Sequence, residues 1–244
     1  MIDKIDGIVV SELDYGETSK IINVLTRELG IIGMIAKGAR TMKSPLRSTT
    51  GKLTYGTFYI KYNKNKLSNL TNVDIINNFR NLQTDIEKIS YVSYLLELST
   101  QVVKHTQSNE VYDILISSIK KINDGFDPLI ITNILELKFL EYLGVMPILD
   151  CCSVCGSTKS IATLSSFKGG YVCNNCLKNE PIVSEKTIKL IRMFYYVDID
   201  KITKLDVGEK SKMEINNFLN DYYDRYTGLY LKTRAFINNL KKIK

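Results

Sequence analysis

The amino-acid sequence predicts an α+β protein of several domains, in which a small N-terminal β-barrel precedes a helical bundle that carries an inserted cysteine-rich module. Three observations support this prediction. Short β-type segments fill the first part of the chain, the apolar period becomes helical near residue 84, and four of the five cysteines form two close pairs. With 244 residues, 44% of them hydrophobic, the chain is long enough for more than one core.

The N-terminal region is predicted to fold as five short strands, separated by turn signals such as Tyr15-Gly16 and Leu29-Gly30. So many short strands in so few residues suit a small closed barrel. The OB-fold is the leading candidate for this domain, residues 1–80, although an SH3-like barrel would give a similar pattern. The predicted strands cover residues 8–10, 21–25, 31–35, 53–62 and 67–75.

A helical domain is predicted on both sides of the cysteine module, over residues 81–150 and 181–244, with the module itself at 151–180. Its helices show apolar residues at three- and four-residue spacing. Gly125 suits a left-handed C-cap, and Asp127-Pro128 supply an N-cap followed by proline at the first helical position. Five helices are predicted, beginning near residues 84, 108, 128, 184 and 209.

The cysteine pairs follow the pattern C-x2-C-x17-C-x2-C. Two-residue spacing lets both thiolates of a pair reach one ion, and two pairs complete a tetrahedral shell around Zn2+. We therefore predict one structural zinc ion per chain in a zinc ribbon whose hairpin turns at Lys168-Gly169-Gly170, while an iron–sulfur cluster is the alternative that the spacing leaves open. The neighbouring Cys151 is predicted to be a bystander. The four predicted ligands are Cys152, Cys155, Cys173 and Cys176.

Positive charge is concentrated in the predicted barrel. The chain has 33 Lys and Arg against 26 Asp and Glu, yet between Glu28 and Asp74 eight cations occur without one acid. Such a stretch favours nucleic acid as a partner, because cationic side chains contact phosphates without reading base sequence. We expect several of these cations to project from a flexible connection after the third strand. The predicted contacts are Lys37, Arg40, Lys43, Arg47, Lys52 and Lys61.

Aromatic side chains interleave with this charge, and exposed rings can stack on unpaired bases. By strand alternation, Tyr55 and Tyr59 share one face of the fourth strand. Phe58 and Tyr62 share the other face, so one pair is expected in the core and the other is available for stacking. A second basic stretch near the end of the chain either extends this surface or is a solvated tail. Its members are Lys232, Arg234, Lys241, Lys242 and Lys244.

Several classes of function are disfavoured. The sequence has no Walker loop, dinucleotide-binding glycine pattern or zinc-deaminase signature, and its single histidine, His105, is predicted at a helix end. We therefore expect neither enzymatic activity nor a small-molecule substrate. The N-terminal residues carry acids and no long apolar run, so a signal peptide and a membrane span are not expected. Clustered cysteines without a signal indicate reduced thiols and a cytoplasmic protein.

The order of several short motifs resembles the RecO family of bacterial recombination mediators over essentially the whole chain. The resemblance implies an OB-fold, a helical domain and a zinc ribbon, with DNA contact at Lys37 and Arg40 and zinc ligation by the four paired cysteines. Cys151 departs from the family pattern, in which the residue before the first ligand is not cysteine. The motifs are Gly7-Ile8-Val9-Val10, Asp14-Tyr15-Gly16-Glu17, Leu25-Thr26-Arg27-Glu28-Leu29-Gly30, Ala36-Lys37-Gly38-Ala39-Arg40, Tyr94-Leu95-Leu96-Glu97-Leu98 and Cys152-Ser153-Val154-Cys155-Gly156, followed by Gly228, Leu231, Lys232 and Arg234.

The same resemblance implies a function. It implies binding to single- and double-stranded DNA at the nucleoid, annealing of complementary strands, and work with RecR to load RecA onto DNA covered by single-strand-binding protein. A zinc-ribbon RNA-binding or ribosome-associated factor is the first alternative, and a preference for structured RNA would support it. An adaptor that contacts only proteins is the second, and it predicts unchanged DNA affinity after charge reversal at Lys37 and Arg40. A hydrolase is the least favoured.

Overall fold

The computed structural model of the chain describes residues 2–106, 108–234 and 237. The chain divides into two compact units. The barrel unit consists of Met1–Asp85 and Leu96–Asp113, and the helical unit consists of Ile86–Leu95 and Ile114–Lys244. The domain limits placed at residues 80, 150 and 180 stay predictions.

Five strands close into a barrel in the order β1-β2-β3-β5-β4. Neighbouring strands are antiparallel except β3 and β5, which are parallel and pair through Met34 with Ser68 and Ile35 with Asn69. This closed five-stranded barrel is OB-like, so the predicted fold of this region is confirmed. The strands are β1 (Asp3–Tyr15), β2 (Ser19–Thr26), β3 (Gly30–Ala36), β4 (Tyr55–Lys61) and β5 (Ser68–Asn77).

Alternation along the strands fills the barrel interior. Ile22 and Val24 of β2, Met34 of β3, and Phe58 and Ile60 of β4 are all fully buried, at every second position of their strands. Burying such side chains contributes about 1.5–3 kcal/mol each to the stability of the barrel. The interior is therefore a packed hydrophobic core, and a ligand can bind only to the outer surface of the barrel.

Six α-helices, two short 3-10 helices and one hairpin are the regular elements in the rest of the described chain. The helices predicted from apolar spacing are all present, and the short helix α1 was not predicted. Asp127 caps α4 by accepting hydrogen bonds from the backbone N–H groups of Leu129 and Ile130, as its position before Pro128 predicts. The elements are α1 (Arg80–Gln83), α2 (Ile86–Val102), α3 (Asn109–Asn123), α4 (Pro128–Tyr142), β6 (Ile161–Ser165), β7 (Gly170–Cys173), α5 (Glu185–Tyr196) and α6 (Glu209–Tyr226).

Helix α4 is buried along most of its length in the helical unit, and two tyrosines donate hydrogen bonds to Glu136 on this helix. The hydroxyl of Tyr94 on α2 donates to the carboxylate of Glu136, and the hydroxyl of Tyr223 on α6 donates to the Glu136 carbonyl at 2.9 Å. Burial is the first cause that raises the pKa of both tyrosines well above its usual value, and the nearby Glu136 adds to it. Across the described residues, no helix combines the length and apolar character needed to cross a membrane.

These two tyrosines predict a loss of stability at alkaline pH. Their folded-state pKa is raised, so their contribution is complete below the unfolded pKa of about 10 and declines as the pH rises above it. Each should cost about 1.4 kcal/mol of unfolding free energy per pH unit in that range. Urea unfolding between pH 9 and 11 measures the slope, which Tyr94→Phe should reduce by that amount. An identical slope in the variant would show that Tyr94 ionises as freely in the folded chain as in the unfolded one.

Candidate metal centre and nucleic-acid interface

The four paired cysteines meet in one place in the helical unit. The Sγ atoms of Cys152, Cys155, Cys173 and Cys176 all lie within 4.8 Å of one another. Cys151 is not part of this cluster, which agrees with its prediction as a bystander. Within the described residues, this is the group of cysteine, histidine and carboxylate side chains arranged to hold a metal ion.

Local backbone geometry explains why the thiols converge. Gly156 has a φ of 75°, a left-handed conformation that glycine adopts without strain, and its N–H donates to the Cys152 carbonyl at 2.9 Å. This turn brings Cys155 back beside Cys152. The second pair follows the hairpin β6–β7, where Cys173 is the last residue of β7 and its N–H points to the Cys152 sulfur at 3.4 Å.

The environment of the thiols favours a thiolate at one end of the cluster. Burial raises the pKa of Cys152, but backbone N–H groups, first that of Cys173, outweigh it and lower this pKa to about 6. The pKa of Cys176 is raised to about 12, first by its hydrogen bond with Cys155. Backbone N–H groups directed at sulfur are the usual support of metal-bound thiolates.

The distances fit a metal ion with four sulfur ligands. Tetrahedral Zn–S bonds of about 2.3 Å place the sulfur atoms about 3.8 Å apart. The Sγ atoms of Cys155 and Cys173 are 3.7 Å apart. Four thiolates fill such a shell and leave no position for substrate or water, so the cluster suits a structural ion.

The predicted cations of the barrel fall into two groups. Lys37, Lys43, Arg47 and Lys61 have exposed side chains, and none of them forms an ion pair with a residue that the structure describes. The other two differ from this group: Arg40 is paired with an acid of the barrel unit, and the ammonium group of Lys52 is partly buried. The first group therefore keeps its charge available for a partner.

Acids of β1 approach the second group. The guanidinium of Arg40 pairs with Asp14 at 3.3 Å and donates to the Gly16 carbonyl at 3.1 Å. The backbone N–H of Lys52 donates to the Glu12 carboxylate at 3.1 Å, and partial burial lowers the pKa of its ammonium group. Within the stretch that lacks acids in the sequence, the charge of Arg40 is thus partly neutralised by Asp14 of the neighbouring strand.

The segment between β3 and β4 is anchored, which corrects the prediction of a flexible connection. It folds as consecutive turns, in which the N–H of Ser44 donates to Thr41 and that of Arg47 donates to Ser44. Ala39 and Leu46 are buried in the barrel core. Because these apolar residues hold the turns in place, the cations between them are presented in a defined arrangement.

The prediction for the aromatic residues of β4 was wrong. Phe58 is in the core, but its expected companion Tyr62 lies after the end of β4 and is 43% exposed. Tyr55 stacks on Phe79 with ring centroids 5.9 Å apart, and the hydroxyl of Tyr59 donates to Asp74 at 2.6 Å. The alternation of inward and outward side chains ends where β4 ends. The two aromatic residues of each predicted pair therefore do not share one environment.

An exposed apolar surface on β1, β2 and β3 was missed. Cross-strand register aligns Leu13 with Ile21 and Ile21 with Ile35, on the face opposite to the barrel interior. Leu13 is 67% exposed, and Tyr15 at the end of β1 is 52% exposed. In OB-folds the surface of the second and third strands binds oligonucleotides. Tyr15 served only as a turn signal in the sequence, although its even spacing from Leu13 places it on this face.

The C-terminal basic stretch is described only in part. Arg234 pairs with Asp224 at 2.9 Å and also bonds Asn220, so it holds the segment that follows α6 against this helix. Its charge is therefore used within the helical unit. Lys241, Lys242 and Lys244 lie outside the described residues.

Comparison with known proteins covers almost the whole chain. Residues 1–79 match the family described as "Recombination protein O N terminal", and residues 83–235 match "Recombination protein O C terminal". The chain is 34% identical to the DNA repair protein RecO of Listeria monocytogenes serotype 4b (strain CLIP80459), over 98% of this chain and 95% of that protein. It is 35% identical to the DNA repair protein RecO of Bacillus pumilus (strain SAFR-032), over 100% and 96% of the two chains.

Proposed function

Because this chain belongs to the recombination protein O family, the RecO family of DNA repair proteins, we propose that it binds single- and double-stranded DNA on its barrel unit and anneals complementary strands. Annealing needs no covalent chemistry, so the proposed protein is a mediator and not an enzyme. Its cations lower the repulsion between two phosphate backbones and hold the strands close enough to pair. Its proposed place of action is the nucleoid in the cytoplasm.

The proposal includes protein partners that the family resemblance implies. With RecR, the chain would help to load RecA onto DNA that is covered by single-strand-binding protein. The contact with RecA is indirect in this scheme, because RecA binds the single-stranded DNA that the mediator has made accessible. No small-molecule substrate and no membrane take part.

One observation carries the DNA-binding proposal. Unpaired cations, with Lys37 and Lys43 among them, are held by an anchored segment beside the OB-like barrel. Phosphate contacts of this kind position the strand without reading its sequence. The exposed Tyr15 and Leu13 on the outer face of β1 supply apolar surface for bases that are not paired.

For the cysteine cluster we propose one structural zinc ion. The donor set of four thiols and the 3.7 Å separation of two of their sulfur atoms support zinc. When bound, the ion cross-links the two cysteine pairs and supplies no catalytic chemistry. The residues around the ion form the ribbon that joins α4 to α5.

Substitution of Lys37 and Arg40 by glutamine tests the DNA-binding proposal. Loss of the Lys37 contact should weaken binding to single- and double-stranded oligonucleotides and reduce the slope of log K against log salt by about 0.9 for duplex DNA. Arg40 should add less than Lys37, because its guanidinium is paired with Asp14. Fluorescence anisotropy across a salt series measures both, and strand annealing should slow in parallel. Lys204→Gln with Lys210→Gln is the matched control, since it changes the net charge equally within the helical unit.

Two results would contradict the proposal. The Lys37 and Arg40 variant could bind DNA with the affinity and salt slope of the wild type, which would favour a protein adaptor. Alternatively, structured RNA could displace the DNA from wild-type protein at much lower concentration than DNA itself does, which would favour an RNA-binding factor.

A further inference from the structure

A single apolar ring protrudes from the tip of the hairpin β6–β7. The turn consists of residues 166–169, and Phe167 within it is 74% exposed. Hairpin turns usually carry glycine, asparagine, aspartate or serine, which serve the turn conformation. A phenylalanine here adds almost nothing to the core, so packing does not account for it.

The backbone that presents this ring is held on several sides. Gly169 donates to the Ser166 carbonyl at 3.2 Å across the turn, and the N–H of Ile148 donates to the Gly169 carbonyl at 2.9 Å. The hydroxyl of Tyr226, the last residue of α6, donates to the Ser166 carbonyl at 2.9 Å. Because three parts of the helical unit fix the turn, the exposure of Phe167 is a built feature of the fold.

A cation lies against the ring. The guanidinium carbon of Arg225 is 5.5 Å from the centroid of Phe167, within the range of a cation–π contact. Arg225 is exposed and forms no ion pair with any residue in the described part of the chain. By contrast, Lys168, which follows Phe167 in the turn, is paired with Glu180 at 2.6 Å. The tip therefore offers one aromatic face beside one available positive charge.

We propose that Phe167 and Arg225 form a second DNA contact, on which an unpaired base of single-stranded DNA stacks while the guanidinium meets an adjacent phosphate. Each nucleotide carries a π-face and a phosphate at short distance, which is the combination that this tip complements. A protein partner would require an apolar centre with a polar rim, and one ring beside a charge lacks such a centre. Duplex DNA hides its base faces, so the site selects single strands. This inference rests on the proposed DNA-binding function.

Truncation of the ring tests the stacking contact. Phe167→Ala should weaken binding to fluorescein-labelled oligo-dT about tenfold, since one stacked base typically contributes a factor of this order. Binding to an abasic strand with the same number of phosphates should not change, because that strand has no base to stack. Phe167→Tyr should keep the wild-type affinity. Ile182→Ala is the matched control, since Ile182 is an exposed apolar residue of the same unit.

The outcomes separate this inference from the proposed function. Wild-type affinity of Phe167→Ala for oligo-dT, or an equal loss on the abasic strand, would overturn the stacking contact even if the Lys37 and Arg40 variant behaves as expected. Loss of oligo-dT binding in Phe167→Ala together with normal binding in the Lys37 and Arg40 variant would instead overturn the barrel as the main site. Should Phe167→Ala unfold, Arg225→Gln decides, because it must lower the salt slope for oligo-dT.

Discussion

Replacement of Cys173 by serine is expected to abolish binding of the metal ion and to unfold the hairpin that the ion supports. Cys173 is buried, it ends β7, and its backbone N–H points to the sulfur of Cys152, so it belongs to both the ligand set and the hairpin. An ion that binds only the folded chain stabilises it by about 4 kcal/mol when its free concentration is a thousand times its Kd. The variant loses that contribution and a buried sulfur ligand together.

Elemental analysis and hydrogen exchange measure the two effects. The wild type should carry one zinc ion per chain, and Cys173→Ser should carry none. Amides of β6 and β7 should lose protection in the variant, while those of α4 should keep it. Cys151→Ser is the matched control, because Cys151 lies next to a ligand in sequence but outside the cluster of sulfur atoms. Loss of metal in Cys151→Ser, or its retention in Cys173→Ser, would show that the assigned ligand set is wrong.

Replacement of Gly170 by alanine is expected to destabilise the ribbon by about 3 kcal/mol, from overpacking against backbone together with a φ that side chains disfavour. Gly170 has a φ of 150°. A Cβ atom at this position would lie 2.2 Å from the carbonyl oxygen of Ile148 and 2.7 Å from its nitrogen. These are backbone atoms that pair with the flanking residues of the hairpin, so they cannot move aside without breaking that pairing.

A second glycine separates the clash from the backbone strain. Gly144 has a φ of 72°, and a Cβ atom there would meet nothing within 4 Å. Gly144→Ala should therefore cost only about 1 kcal/mol, the strain of a left-handed residue. Urea unfolding of both variants measures the difference. Equal losses of unfolding free energy in the two variants would mean that the close approach of Gly170 to Ile148 does not affect stability.

Most of the fold followed from the sequence because each element carried its own signal. Alternating apolar residues predicted the barrel strands, and the Asp127-Pro128 pair predicted the start of α4. Gly170 was predicted only as a turn residue, whereas it also lets Ile148 approach β7. That role depends on a segment more than twenty positions earlier, and no local pattern reveals such a contact.

The candidate sites were predictable to different degrees. Four cysteines at fixed spacing within one short module have few ways to arrange themselves, so their convergence could be predicted. The available charge of the barrel could not be predicted, because Asp14 reaches Arg40 only after β1 has folded beside it. The contact between Phe167 and Arg225 could not be predicted either, since Arg225 comes from the end of α6.

The parallel seam between β3 and β5 has a consequence for synthesis of the chain. Strands β1, β2 and β3 are neighbours in sequence and can pair as soon as they leave the ribosome, but the seam needs Ser68 and Asn69 of β5. Until these residues emerge, the nascent meander has an open β-edge that other chains can join. Pausing of translation between β3 and β5 would therefore prolong the interval in which the β3 edge of the nascent chain is exposed to other chains.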